Sequence, residues 1–301
     1  MFATAQVPRE YVHKRVQSEV LLTGCRTVGT DSFHITARWP ADHDFYRPVH
    51  GLFDPMLAAE SIRQAVPLLS HTAYDVPFGH KQSWHFYRQT LQPGALAGGG
   101  TAAEIDLFVS CADVTRRAGR LASLTMHVEM VRDGLPLGTA ELGFRDHAPA
   151  IYRRLRGRYA DIDEAVAGAI PLAPPVAPER VAREQLTDVV LSATDSPSRS
   201  QLRVDLSHPV LFDHPVDHVP GMLLLEAARQ SAHKAAHPVP TVAVGLEAVF
   251  NRYVELDAPC WIQADREPAD TDRQRVRVEA VQNGESRFTA TVALAPVSSR
   301  S

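Results

Sequence analysis

Residues 222–230 read MLLLEAARQ, and residues 56–64 read MLAAESIRQ. Laid over each other they agree at Met56/Met222, Leu57/Leu223, Glu60/Glu226, Arg63/Arg229 and Gln64/Gln230, 166 residues apart. Small apolar residues coincide easily between two helices, but a Glu, an Arg and a Gln kept in one register do not, so the chain reads as a duplication. Two copies are too few for a solenoid. The spacing sets the three polar residues at i, i+3 and i+4, on one helix face.

The surroundings repeat as well. After the first helix come strand-like runs at 81–91 (KQSWHFYRQTL), 103–114 (AEIDLFVSCADV) and 121–131 (LASLTMHVEMV), with Asp133-Gly134 marking a hairpin turn. After the second come 241–256 (TVAVGLEAVFNRYVEL), 260–267 (CWIQADRE), 275–281 (RVRVEAV) and 287–294 (RFTATVAL), with Asn283-Gly284 as the turn. Each copy reads as one or two strands, one buried helix, and antiparallel strands ending in a tight hairpin. A helix that is apolar nearly all round must be covered on most sides, which a curled sheet achieves. The expected class is α+β: two layers, each a long central helix wrapped by an antiparallel sheet, packed as an internal pseudo-dimer.

The expected boundaries are 1–165, a proline-rich linker over 166–185 and a second repeat over 186–301. The linker centres on IPLAPPVAPER (170–180). Ahead of it, IYRRLRGRYADIDEAVAGA (151–169) reads as a connecting helix whose arginines form a solvated face. Pro67 is expected to kink or end the first helix, whereas Pro220-Gly221 opens the second and His237-Pro238 closes it.

The 301 residues, 45% hydrophobic and 22% charged, have ordinary globular composition. With 31 basic against 35 acidic side chains, a net charge of −4 argues against nucleic-acid binding driven by counterion release. No run approaches the roughly 20 apolar residues of a membrane span, and the N-terminus lacks a signal-peptide core. A cytoplasmic protein with no membrane association is expected. Cys25, Cys111 and Cys260 are too few and too scattered for a disulfide framework and read as reduced thiols.

Glu226 and Arg229 pose the central question, because charges inside an apolar helix are costly. Either they form an intrahelical pair that fixes register or ties the two halves, or they serve chemistry. In the second case the carboxylate is a proton acceptor and the guanidinium a ligand for phosphate or carboxylate. Two neighbours favour chemistry. The helix opens at Gly221, whose amide could polarise a carbonyl. Asp213-His214-Pro215 and Asp217-His218 place imidazoles in the loop before it. The first copy instead has Asp54-Pro55, an N-cap followed by a residue without an amide hydrogen, so the two sites should differ. His50 reads as a surface loop residue. His208, His214 and His218 with Asp213 and Asp217 lack the fixed spacing of zinc motifs, so no metal is assigned.

HPVDHVPGMLLLEAARQ resembles the His-loop, Pro-Gly and central-helix Glu motif of hotdog-fold dehydratases, although the interval from His214 to Gly221 is shorter than theirs. The paired form is closer to another family. HGLFDPMLAAESIRQA with DHPVDHVPGMLLLEAARQSA, preceded by VHKRVQSEVLLTG (12–24), resembles the A-factor biosynthesis (AfsA-like) family. That resemblance implies a double hotdog fold. It also implies transfer of a β-ketoacyl group from an acyl carrier protein thioester to dihydroxyacetone phosphate. This is the first step toward γ-butyrolactone, butenolide or furan signalling molecules that control antibiotic production. Partners would be the β-ketoacyl-acyl carrier protein and dihydroxyacetone phosphate, with no cofactor; a homodimer is compatible.

Carried over by resemblance, the family's catalytic positions fall on Glu60, Glu226 and Arg229. Gly221 with Arg63, Gln230 and His214 would bind substrate: the glycine amide faces the thioester carbonyl, and an arginine faces the phosphate, Arg229 first, with Arg63 or Lys81 behind it. The alternatives are a dehydratase or thioesterase on the same fold, or a non-catalytic sensor of lactones or acyl groups.

Overall fold

A computed structural model describes residues 7–98, 100–268 and 273–297. The chain divides into two compact units, Met1–Leu155 and Arg156–Ser301.

In the first unit, strands β1 (Leu22–Gly29) and β2 (Ser32–Trp39) precede helix α1 (Met56–Thr72). Strands β3 (Lys81–Leu91), β4 (Ala103–Arg117), β5 (Arg120–Arg132) and β6 (Leu135–His147) follow it. All pair antiparallel, in the order β1-β2-β4-β5-β6-β3. Period-two burial drives this: Ala103, Ile105, Leu107 and Val109 of β4 turn inward, as do Leu124, Met126, Val128 and Met130 of β5. Asp133 and Gly134 both have positive φ, 51° and 76°, as the tight turn between β5 and β6 requires. At Gly143 the register shifts opposite His85, and a Cβ there would lie 2.4 Å from the Phe86 ring, so only glycine fits.

Helix α1 buries 14 of its 17 residues. Pro67 does not end it: the helix continues five residues further, to Thr72. The lost backbone hydrogen bond is offset by the burial of Val66, Leu68 and Leu69 on either side.

The second unit follows the same path. Strands β7 (Leu191–Ala193) and β8 (Arg199–Leu202) precede helix α4 (Gly221–Ala236), which buries 13 of its 16 residues. Strands β9 (Thr241–Phe250), β10 (Cys260–Arg266), β11 (Gln274–Gln282) and β12 (Glu285–Pro296) complete a sheet ordered β7-β8-β10-β11-β12-β9. Element for element this is the order of the first unit, which is what a duplication demands. The strand expected over 241–256 stops at Phe250; beyond it, Val254 accepts a hydrogen bond from the Val219 amide, 2.9 Å, in the loop before α4.

The connecting segment is not one helix. Helices α2 (Pro149–Arg156) and α3 (Ile162–Ala167) are separated at Gly157, whose φ of +57° is left-handed. Nor are all its arginines solvated: Arg153, Arg154 and Arg158 are exposed, but Arg156 is buried. Within the proline-rich span, the turn Pro178–Val181 packs against α4. Among the described residues no helix is long and apolar enough to cross a membrane.

Candidate functional site

Glu226 lies in the second turn of α4, with no exposed surface. Arg229 grips both its oxygens, Nε to Oε2 and Nη2 to Oε1 at 2.8 Å each. Arg183 Nε binds Oε1 at 2.9 Å, and Gln230 Nε2 donates to the same oxygen at 2.6 Å. Burial alone would raise the carboxyl pKa, but the two guanidinium charges and their hydrogen bonds hold it well below the usual range. Glu226 is therefore a fixed anion.

Gln230 is equally committed. Its carbonyl accepts from the Val190 amide at 3.0 Å, and its amide donates to the Asp188 carbonyl at 2.8 Å as well as to Glu226. With both donors used, Gln230 ties the segment before β7 to α4; the substrate-binding role expected for it has no donor left to work with.

The first unit repeats this cluster, with Lys14 in the place of Arg183. Arg63 Nε lies 3.0 and 2.9 Å from the two Glu60 oxygens, Lys14 Nζ is 3.1 Å from Oε1, and Gln64 donates to Oε1 at 2.9 Å. Gln64 also accepts from the Leu21 amide and donates to the Glu19 carbonyl. Burial again raises the Glu60 pKa, and the charges of Arg63 and Lys14 outweigh it, leaving it at about 2. One difference is exposure: the Arg63 side chain is 21% accessible, that of Arg229 5%.

Lys14 and Arg183 were absent from the expected site, although a second alignment would have found them. VHKRVQSEVLL (12–22) over VAREQLTDVVL (181–191) pairs Lys14 with Arg183, Glu19 with Asp188 and Val20 with Val189. Both segments turn through a left-handed residue, His13 (φ 52°) and Ala182 (φ 54°), which aims the next side chain at the helix. His43 and His208 form a further pair. Nδ1 of His43 accepts from the Phe45 and Tyr46 amides, and Nδ1 of His208 from those of Val210 and Leu211. Their Nε2 atoms face Glu19 (3.4 Å) and Asp188 (3.9 Å). Burial pushes the His208 pKa down to about 4, with the Arg183 charge acting in the same direction.

The two helix N-termini differ, as Asp54-Pro55 suggested. In the first, the Asp54 carboxylate accepts from the Met56 amide at 2.8 Å and closes the helix end. In the second, Pro220 is the N-cap and no side-chain cap is formed; Gly221 is half-buried, with the Phe250 ring 3.4 Å from where its Cβ would be. Helix geometry aims the Gly221 and Met222 amides out of this end.

The three loop histidines diverge. His208 serves the loop amides, His214 is exposed beside Asp213 at 3.8 Å, and His218 Nδ1 sits 2.8 Å from Asp217. His50 is exposed in its own turn. Among the described residues no cluster of three or more His, Cys, Asp or Glu is placed to hold a metal. A cleft of about 580 Å³ in the first unit, lined by residues such as Arg88, Phe108, His127, Glu129 and Glu141, contains none of the expected residues.

The A-factor biosynthesis hotdog domain matches residues 2–146 and 166–298, one copy in each half. The chain belongs to the AfsA family. Three 2-oxo-3-(phosphooxy)propyl 3-oxoalkanoate synthases are similar to it along nearly their whole length. That of Streptomyces virginiae is 42% identical, covering 96% of this chain and 97% of its own. Those of Streptomyces coelicolor and Streptomyces griseus are 39% and 40% identical, covering 95% and 93% of this chain and 90% and 92% of their own. Among solved structures, the 12:0-ACP thioesterase of Umbellularia californica superposes with a TM-score of 0.56 at 8% identity, over 88% of this chain and 94% of its own. An acyl-ACP thioesterase of Bacteroides thetaiotaomicron gives 0.51 at 13% identity, over 87% and 97%. At such identities the likeness shows the fold, which is the double hotdog of this AfsA-family chain.

Proposed function

We propose that this AfsA-family protein transfers a β-ketoacyl group from an acyl carrier protein thioester to a hydroxyl of dihydroxyacetone phosphate. The product would be the phosphorylated ester from which γ-butyrolactone, butenolide or furan signals controlling antibiotic production are built. The observation that carries the reading is the 42% identity, over 97% of its length, to a synthase whose name states this ester. The donor's carrier protein and a cytoplasmic setting belong to the same proposal.

The geometry supports it at the start of α4, where no side chain caps the helix and the Gly221 amide would receive the oxygen of a thioester carbonyl. Glu60, Glu226 and Arg229 are the side chains on which transfer depends, as the charged frames that hold each central helix to the segment before its first strand. Arg63 and Arg229 are the cations proposed for the phosphate, Arg63 being the more accessible.

The test is product identification by mass spectrometry after incubation with a β-ketoacyl-carrier thioester and dihydroxyacetone phosphate. A phosphorylated ester, or the butenolide it cyclises to, is expected. Free β-keto acid formed regardless of dihydroxyacetone phosphate would make the protein a thioesterase instead.

A further inference from the structure

Arg156, the last residue of α2, lies in the second unit against the loop before α4. Its Nε is 2.8 Å from Asp217 Oδ2 and its Nη2 2.9 Å from the Asp217 carbonyl. The other face of the guanidinium fork binds Glu255, at 2.8 and 2.6 Å, and its plane lies over Tyr253, 4.2 Å from the ring centre. This fixes Asp217 rigidly, since a buried bidentate guanidinium pair has little freedom. The second Asp217 oxygen, Oδ1, is 2.8 Å from His218 Nδ1, and the imidazole rests edge-on against Tyr253. A carboxylate can only accept, so Nδ1 is the protonated nitrogen in this contact, and in the neutral ring Nε2 is the basic nitrogen.

The gradient of exposure is orderly. The side chains of Arg156 and Asp217 are 3% and 5% accessible, while that of His218 is 25% accessible. His218 stands three residues before Gly221, whose amide opens α4. Among the described residues, the loop before α1 carries no such pair: it turns at His50 and Gly51, and Asp54 closes the helix end. Two independent differences between the repeats therefore mark the same end of the same helix.

We propose that His218 transfers the proton in acyl transfer and that Asp217 and Arg156 are positioning residues for it. This rests on the transferase reading above. Nε2 takes the proton of the acceptor hydroxyl as that oxygen forms a C–O bond to the thioester carbonyl carbon, and the tetrahedral oxygen is held by the Gly221 amide. On collapse the C–S bond breaks, and the imidazolium returns its proton to the departing thiolate, leaving ester, thiol and neutral imidazole. Glu226 is unsuited to this step, because two arginines and Gln230 already engage its oxygens and keep it a weak base.

The experiment compares wild type with His218→Ala, Asp217→Asn and Arg156→Lys, with the carrier thioester and dihydroxyacetone phosphate as substrates. Expected is a fall in kcat of about 100-fold for His218→Ala with KM for both substrates within about threefold, partial recovery with added imidazole, and a fall of about 10-fold for Asp217→Asn. Arg156→Lys, which keeps the charge but not the fork, should fall between Asp217→Asn and wild type. A His218→Ala enzyme within threefold of wild type, or one whose loss imidazole does not restore, overturns the proposal. So does a melting temperature lowered by more than 10 °C in both His218→Ala and Asp217→Asn, which would make the cluster purely structural. If wild type itself yields no ester, the transferase reading has failed, a separate result.

Discussion

Glu226 and Glu60 have matching partners but not matching surroundings, and substitution should reveal the difference. Glu226→Gln leaves Arg183 and Arg229 buried without their counter-ion, a loss of about 3–5 kcal/mol, so its melting temperature should fall by roughly 10 °C. Glu60→Gln should cost less, about 1–3 kcal/mol, because Arg63 can turn toward water. Thermal melts of the two variants side by side measure the difference; equal losses would mean that exposure does not govern the cost. His208 adds a second residue-level effect. Its folded pKa of about 4 lies below the ordinary 6.5, so between those values the unfolded chain binds the extra proton and stability falls as pH falls.

At the level of the element, the contrast lies in how the two central helices begin. Gly221→Ala keeps the amide and adds a Cβ 3.4 Å from Phe250, so activity should fall no more than a few-fold. Gly221→Pro is compatible with the first helical position and with the extended Pro220 before it, yet removes the amide; kcat should drop about 100-fold with a modest change in melting temperature. Steady-state kinetics on the pair decides whether the amide acts. Conversely, Asp54→Ala should cost about 1 kcal/mol of stability, read as a shift of a few degrees, because it releases the Met56 amide.

Across the whole molecule, acid acts on the repeated frames in sequence. Protonation of His208 withdraws stability from pH 6.5 down to 4, and Glu60, whose carboxyl is held at about 2 against an ordinary 4.5, withdraws more below pH 4.5. The melting temperature should therefore decline steadily from pH 7 to pH 4 and steeply below it. A flat profile between pH 7 and pH 4 would show that His208 is not buried in its neutral form.

Much of this was legible in the amino-acid string. The register of MLAAESIRQ and MLLLEAARQ identified the duplication, alternating apolar residues identified the long strands, and Asp133-Gly134 and Asn283-Gly284 marked the hairpins, because periodicity and turn chemistry are local properties. Local signals failed where burial overrides propensity, as at Pro67, which the packed core holds inside α1, and at Arg156, which reads as a surface charge until Asp217 and Glu255 arrive from distant sequence. The helical partners of Glu60 and Glu226 were legible, but their long-range cations showed only in the fainter likeness of 12–22 to 181–191. Lys14 and Arg183 lie more than 40 residues from the glutamates they neutralise. The chain by itself determined that two charged helices exist and that only the second opens on a glycine. Only the tertiary structure decided that both carboxylates are clamped as anions and that His218 is oriented by a buried aspartate, since an ion pair depends on distance in space rather than along the chain.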